Sequence, residues 1–262
     1  MENMKFIHRI SKGSRFNQIY VPKEVESEFE VGDIVEVRLM KKKQNLYYSS
    51  NLPKLSEFKK KLIKDVFYLL SQFKEIKQIF IFGSFLTQKI EYNDIDILIL
   101  TEKDDEKFEK NIYNKLTEEF NLKFHVICIE KDKLRELLKI NPLIRSMFYY
   151  YVSNKKFELP KETSIDEKHI RFLLMMPEDL LEIRLNSKVF YDNLRRLISI
   201  EHFLENKDEN PNKVNDELKE LLGETLLSDM RANNEIDETT IKKLRTIIKV
   251  KLKKIKNLLK HG

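Results

Sequence analysis

The sequence predicts an α+β, multidomain chain: a β-rich N-terminal module, a central α/β domain with a small mixed sheet, and a C-terminal helical bundle. Three changes of texture along the 262 residues carry that reading. Residues 4–40 run in short stretches that alternate apolar and polar positions. Residues 55–159 alternate helical and strand-like periods. Residues 165–262 place apolar residues three and four apart throughout. The expected units are therefore residues 1–40, a linker at 41–54, residues 55–160 and residues 161–262.

In the first region KFIHRI alternates, NQIYV is a β-rich run closed by Pro22, and GDIVEVRLM alternates after a Gly32-Asp33 turn. Between them PKEVESEF fits one short helix with Pro22 in its first turn. KKKQNLYYSSNLPK has no clear period and reads as a linker, with strand character at its two tyrosines.

In the central region LSEFKKKLIKDVFYLLSQF predicts an amphipathic helix with Leu55, Phe58, Leu62, Val66, Leu69 and Leu70 on its apolar side. IKQIFIFG and NDIDILIL predict strands, EKDDEKFEKNIYNKLTEEF a helix with acids at its positive end, and LKFHVICI a third strand. KDKLRELLKI and PLIRSMFYYYV predict two further helices. Downstream, helices are expected at DEKHIRFLLMM, at PEDLLEIRLNSKVFYDNLRRLISIEHFLEN, at VNDELKELLGETLLSDMR and at ETTIKKLRTIIKVKLKKIKNLLK. Breaks are expected at KDENPN and ANNEID, with Asp237 or Thr239 as an N-cap.

Charged residues make up 35% and apolar residues 41%, and the net charge is +6. Such a chain has material for a sizeable core, and its mild basicity permits a polyanionic partner without requiring one. The single cysteine, Cys128, excludes an internal disulfide framework and reads as a small apolar filler. With no secretion-type h-region in MENMKFIHRISKG and no apolar run near the ~20 residues of a membrane span, the expected setting is cytoplasmic, with no membrane partner.

The chemistry concentrates in IFGSFLTQKIEYNDIDILIL, residues 81–100. Side chains two apart on a strand share a face, so Asp94 and Asp96 project together. Two adjacent carboxylates repel unless a cation sits between them, and hard oxygen ligands suit Mg²⁺. Gly83 permits a tight turn after the preceding strand, and Ser84 opens a short helix, FLTQKI, whose N–H groups and hydroxyl can hold a triphosphate. Taken alone, Asp94 is a turn residue after Asn93 and Asp96 an edge-strand charge. The strand–Gly-Ser–helix unit, with nine residues between Ser84 and Asp94, favours metal and phosphate chemistry instead.

Gly83-Ser84 followed by Asp94-Ile95-Asp96 resembles the signature of the polymerase-β-like nucleotidyltransferase superfamily, in particular its minimal members, over about residues 55–155. The resemblance implies that Gly83 and Ser84 bind nucleotide phosphates and that Asp94 and Asp96 bind divalent metal, Mg²⁺ or Mn²⁺, with an NTP as substrate. The family usually supplies a third carboxylate from a later strand. In KFHVICI that position holds His125, and the acid nearby, Glu130, falls at the strand's end. A neutral imidazole can bind a metal or accept a proton, and a structural histidine in a site without catalysis is the other reading.

The segment HRISKGSRFNQIYVPKEVESEFEVGDIVEVRLM resembles the SpoVT/AbrB type of swapped-hairpin domain, on Gly13, the run Gln18–Val21, Pro22 and the Gly32-Asp33 turn. That resemblance implies a homodimer, in which two copies complete one barrel. DNA binding through Lys5, His8, Arg9, Lys12 and Arg15 and a dimerising module without a nucleic-acid role both remain open.

The last helix carries nine Lys/Arg and no acid in IKKLRTIIKVKLKKIKNLLK, with Ile241, Leu244, Ile248, Leu252, Ile255 and Leu259 on one stripe. It reads as a packed terminal helix with a solvated basic face, or as a backbone track for RNA or DNA. RLISIEH places Arg196 and His202 at the spacing of the Arg-x4–6-His motif of helical HEPN-type nuclease domains, a pattern short enough to arise by chance. Tyr149, Tyr150 and Tyr151, near a domain junction, are candidates to stack on a base or simply to pack.

Two functional expectations follow. One is a nucleotidyltransferase that moves a nucleoside monophosphate from an NTP to an acceptor hydroxyl on RNA, such as tRNA, or on protein. It would use Asp94, Asp96 and His125 as catalytic residues. The other is a catalytically degenerate, dimeric DNA- or nucleic-acid-binding or regulatory module of antitoxin type, favoured by the absent third carboxylate.

Overall fold

The computed structural model describes residues 5–38, 40, 43–88, 92, 94–103, 105–208 and 210–261, and divides into two compact units, Met1–Lys43 and Gln44–Gly262. In the first unit a two-residue antiparallel hairpin joins β1 (Ser11–Lys12) to β2 (Asn17–Gln18). Gly13 makes that turn possible: its N–H donates to the Phe16 carbonyl at 2.9 Å, and a Cβ there would meet the same oxygen at 2.6 Å. A 3₁₀ helix spans Lys23–Glu28 with Pro22 as its N-cap residue. At the Gly32-Asp33 turn, glycine takes a φ of +111° and the Asp33 carboxylate accepts from the Glu30 N–H at 2.8 Å.

The expected strands KFIHRI and GDIVEVRLM do not form among the described residues. The reason is a missing ladder partner, since a strand is stable only when its N–H and C=O groups are paired. No described residue of this unit is buried, and Val31, Ile34, Val35 and Val37 stand exposed.

The second unit is built on a five-stranded sheet. Its strands are β3 (Tyr47–Tyr48), β4 (Gln78–Phe82), β5 (Ile95–Thr101), β6 (Phe124–Glu130) and β7 (Tyr151–Ser153), in the order β3-β7-β4-β5-β6. All neighbours are antiparallel except β5 and β6, which gives the small mixed sheet expected from the sequence. The segment 41–54 is not structureless: its two tyrosines form the edge strand β3, and Ser49 bonds Tyr151 through both backbone and hydroxyl.

One sheet face packs on α1 (Glu57–Leu70) and α2 (Glu106–Phe120), burying Ile79, Ile81, Ile95, Ile97 and Ile99 against Ile63, Phe67 and Ile112. Ser56 and Asp105 cap the two helices, and Asn121 ends α2 in the left-handed region at φ 51°. Cys128 packs at the margin of this core, in its expected role as filler. The other face packs on α3 (Lys131–Ile140) and α4 (Pro142–Met147), with Phe80 meeting Phe148, Tyr151 and Phe157 edge to face.

Two expectations from the sequence are corrected here. The apolar stripe of α1 is rotated by one residue: Phe58 is 61% exposed, while Lys59, Leu62, Ile63, Val66, Phe67 and Leu70 are buried. PLIRSMFYYYV is not one helix; α4 stops at Met147 and Tyr151–Ser153 turn into the strand between β3 and β4. The tyrosines and Val152 are strand formers, and the sheet supplies the hydrogen bonds that the helix would have.

The rest is helical: α5 (Glu167–Asp179), α6 (Ser187–Leu204), α7 (Pro211–Leu222), α8 (Glu224–Ala232) and α9 (Glu238–His261). Pro177 lies inside α5 rather than starting a new helix, and Asn186 caps α6. Gly223, at φ +80°, separates α7 from α8. Asp237 accepts from the Thr240 N–H ahead of α9, and the α9 stripe Ile241, Leu244, Ile248, Leu252 and Ile255 is buried in the helical core, with Leu259 half-buried beside it. Among the described residues no helix is long and apolar enough to cross a membrane.

Candidate active site at the end of the sheet

Strand register assembles the site. Phe82 pairs with Asp96 across β4 and β5, Asp96 with His125 across β5 and β6, and Phe82 with Tyr151 across β4 and β7. Register partners share a face, so Asp96 and His125 emerge side by side, on the face that α3 and α4 cover farther along the strands. The Asp96 Oδ1 lies 3.1 Å from the His125 Nδ1. A carboxylate only accepts, so Nδ1 is assigned the hydrogen, on a ring whose side chain is 59% exposed.

The other carboxylate oxygen of Asp96 points at Gly83. A Cβ built on Gly83 would come within 2.0 Å of Oδ2, and its φ of +81° already favours glycine. Glycine is thus required twice at this turn, once for its backbone angle and once to make room for Asp96. Ser84 opens a single 3₁₀ turn, Ser84–Leu86, in place of the expected helix FLTQKI, whose positions 89 and 90 lie outside the described residues, as does Asn93 of the expected strand. Ser84 is exposed, while its carbonyl accepts from the Thr87 N–H at 3.1 Å and from the Thr87 hydroxyl at 2.7 Å.

The Asp96 side chain is 23% exposed. Burial pushes its pKa above the ordinary carboxylate value; the hydrogen bond from His125 pulls it back, and the like charge of half-buried Asp94 adds to the rise. Among the described residues, no three His, Cys, Asp or Glu side chains converge to hold a metal ion. Two neighbouring carboxylates nonetheless fit the way Mg²⁺ binds in phosphoryl sites, through one or two protein carboxylates with substrate phosphates and water completing the shell.

Residues 63–142 match the family model for Polymerase beta, Nucleotidyltransferase. That stretch holds Gly83, Ser84, Asp94, Asp96 and His125, so this part of the chain is similar to that family where its chemistry concentrates. No curated protein and no solved structure matches the chain.

The remaining sequence candidates fare differently. Glu130 pairs with Thr101 at the opposite end of β6, away from Asp96 and His125. Tyr151 is committed to packing and donates to the Phe157 carbonyl, while the half-buried Tyr150 hydroxyl accepts from Asn212. His202 is 6% exposed and its Nε2 lies 2.9 Å from Glu217, an arrangement that accounts for it as a core residue.

The basic face of α9 is narrower than its sequence suggests. Lys251 pairs with Glu201 and Glu217, Lys254 with Glu201 and Glu205, and Lys256 with Glu178, while Arg245 donates to the Leu180 and Glu182 carbonyls just beyond α5. Lys242, Lys243, Lys249, Lys253 and Lys260 remain exposed. One residue beside the site escaped the sequence reading altogether: Lys59, buried on α1 with its Nζ donating to the Thr87 carbonyl. Its signal was present, because the stripe Leu70, Phe67, Val66, Ile63, Leu62 extrapolates by three and four residues to position 59.

Proposed function

We propose that the chain is a nucleotidyltransferase that moves a nucleoside monophosphate from an NTP to an acceptor hydroxyl. The observation that carries this reading is the Asp96 carboxylate, wedged between Gly83 and His125 at the sheet end where burial and Asp94 both work against its charge. A fold keeps such a group when function needs its charge.

In this reading the turn at Gly83 and the exposed Ser84 hold the triphosphate through N–H and hydroxyl donors. Asp94 and Asp96 hold a divalent cation, Mg²⁺ or Mn²⁺, which when bound offsets the charge of the phosphate oxygens. The acceptor hydroxyl gives its proton to the His125 Nε2, whose opposite nitrogen is fixed by Asp96. The new acceptor O–P bond forms at the α-phosphorus as the bond to the β-phosphate oxygen breaks, and pyrophosphate leaves.

The exposed lysines of α9 suit an RNA acceptor, tRNA included, with protein as the other class. The first unit, with no described residue buried, is completed by a second copy of the chain. Its exposed Lys5, His8, Arg9, Lys12 and Arg15 make that dimer a candidate for phosphate contacts. We place the protein in the cytoplasm.

The deciding experiment is label transfer: the protein with each α-labelled NTP, Mg²⁺ or Mn²⁺, total RNA and cell protein, with Asp96→Asn alongside. Label in one macromolecular band, lost in the variant, is expected. NTP binding without transfer under any condition would overturn the catalytic reading in favour of a degenerate regulatory module, the reading that the histidine in place of a third carboxylate supports.

A further inference from the structure

The connection between β4 and β5 carries Ser84 at one end and Asp94 at the other, and a single buried cation touches both arms. Lys59, 8% exposed on α1, donates from Nζ to the Thr87 carbonyl at 2.9 Å. Thr87 in turn bonds the Ser84 carbonyl through its N–H and its hydroxyl. The same ammonium lies 5.3 Å from the centre of the Phe85 ring and 5.5 Å from that of Tyr92, two residues before Asp94. The two rings meet edge to face at 5.0 Å.

Burying an ammonium is costly, and here burial draws its pKa below the ordinary lysine value. A methionine would fill the same space on the α1 stripe without desolvating a charge. What an apolar side chain lacks is a donor for the Thr87 carbonyl and a cation for the two ring faces.

We propose that Lys59 is a positioning residue that ties the phosphate-binding turn at Ser84 to the carboxylate arm at Asp94, so that both halves of the nucleotide site are held in register by one ammonium. This rests on the nucleotidyltransferase reading of the site. Lys59 acts through Thr87, Phe85 and Tyr92 and needs no contact with substrate.

The test compares wild type, Lys59→Met, Lys59→Arg and Ser84→Ala in full-length protein, by calorimetric titration with Mg·ATP and Mg·GTP and by thermal melting. Lys59→Met is expected to melt no lower than wild type and to bind whichever nucleotide the wild type takes about tenfold more weakly, a loss of ~1.4 kcal/mol. Lys59→Arg keeps a donor and a cation and is expected to recover binding to within about threefold of wild type.

A Lys59→Met protein that binds as tightly as wild type, while Ser84→Ala binds weakly, overturns the proposal and leaves Lys59 as packing. So does a melting point that falls with affinity, or an arginine that rescues nothing. Wild-type protein that binds neither nucleotide, with Ser84→Ala equally silent, overturns the reading of the site itself and the tie with it.

Discussion

At the end of the sheet, the carboxylate of Asp96 is held where burial and a neighbouring acid disfavour its charge. In the helical bundle, the carboxylates of Glu201, Glu205 and Glu217 each face a lysine. Glu201 on α6, Glu205 just after it, Glu217 on α7, and Lys251 and Lys254 on α9 form one chain of charge pairs, with Lys251 at 2.9 Å from Glu201 and Lys254 at 2.7 Å from Glu205, and the His202 Nε2 lies 2.9 Å from Glu217. The pKa of Asp96 is raised, whereas Glu205 is drawn down to about 2, by Lys207 and then by Lys254. A charge buried with opposite charges around it fastens helices together. A charge buried beside a like charge is left uncompensated, and a bound cation would relieve it.

The largest expected effect breaks the uncompensated side of that contrast. Asp96→Asn keeps the shape and the acceptor for His125 but removes the charge, and transfer is expected to fall by a factor of about 1000 or more. Because the folded-state pKa is raised, the carboxylate costs stability at pH values above its titration, and that stability returns as pH falls through the folded pKa. The neutral amide carries no such cost, so the melting point at pH 7 is expected to stay level or rise. A variant that still transfers, or that unfolds, would erase the distinction drawn between the two regions.

Next in size is the paired side. Lys251→Met removes the cation shared by Glu201 and Glu217 and leaves Glu201 with Lys254 and Glu217 beside His202. The expected loss is about 3 kcal/mol in unfolding free energy by denaturant titration, the lower end for a broken buried pair because each carboxylate keeps one partner. NTP binding in the protein that remains folded should be unchanged. Loss of binding at full folding would mean that the network serves the site as well as the bundle. Smaller again is Gly83→Ala: the added Cβ meets Asp96 Oδ2 at a φ that strains alanine, at a cost of about 1–3 kcal/mol. NTP binding should weaken more than that of Ser84→Ala, since Asp96 must move.

How much of this could be read from the chain differs between the two regions for a physical reason. Asp94, Asp96, Gly83 and Ser84 stand close in sequence; Asp96 reaches Gly83 across β4 and β5, and Asp94, just ahead of β5, adds its like charge to that of Asp96. His125 was reached only through the family resemblance, since its place beside Asp96 depends on the register of a parallel pair 29 residues apart, which no local pattern encodes. Lys59 was hidden by the run Lys59-Lys60-Lys61, in which composition gives three equivalent solvated charges and only the rotation of α1 buries the first. The bundle network was illegible for the same reason: Glu201, Glu217 and Lys251 look like ordinary surface charges until three helices converge. In the first unit the alternation of GDIVEVRLM was readable, but no strand forms there among the described residues, because alternation alone supplies no ladder partner.

The smallest effect sharpens the contrast along the pH axis. Glu205, with its pKa drawn from 4.5 to about 2, contributes stability that is complete above pH 4.5 and is lost as pH falls toward 2. Thermal melts from pH 5 to pH 2.5 should therefore show the wild type losing more stability than Glu205→Gln, whose amide has no proton to take up. Asp96→Asn should do the reverse: its advantage over wild type is expected at neutral pH and should shrink as wild-type Asp96 takes up its proton and sheds its cost. Two carboxyl-to-amide changes in one chain, with melting curves that converge on wild type from opposite sides as acid is added, would separate a charge kept for holding helices together from one kept for holding something else. Parallel curves would place both carboxylates in the same class and remove the electrostatic argument for the site.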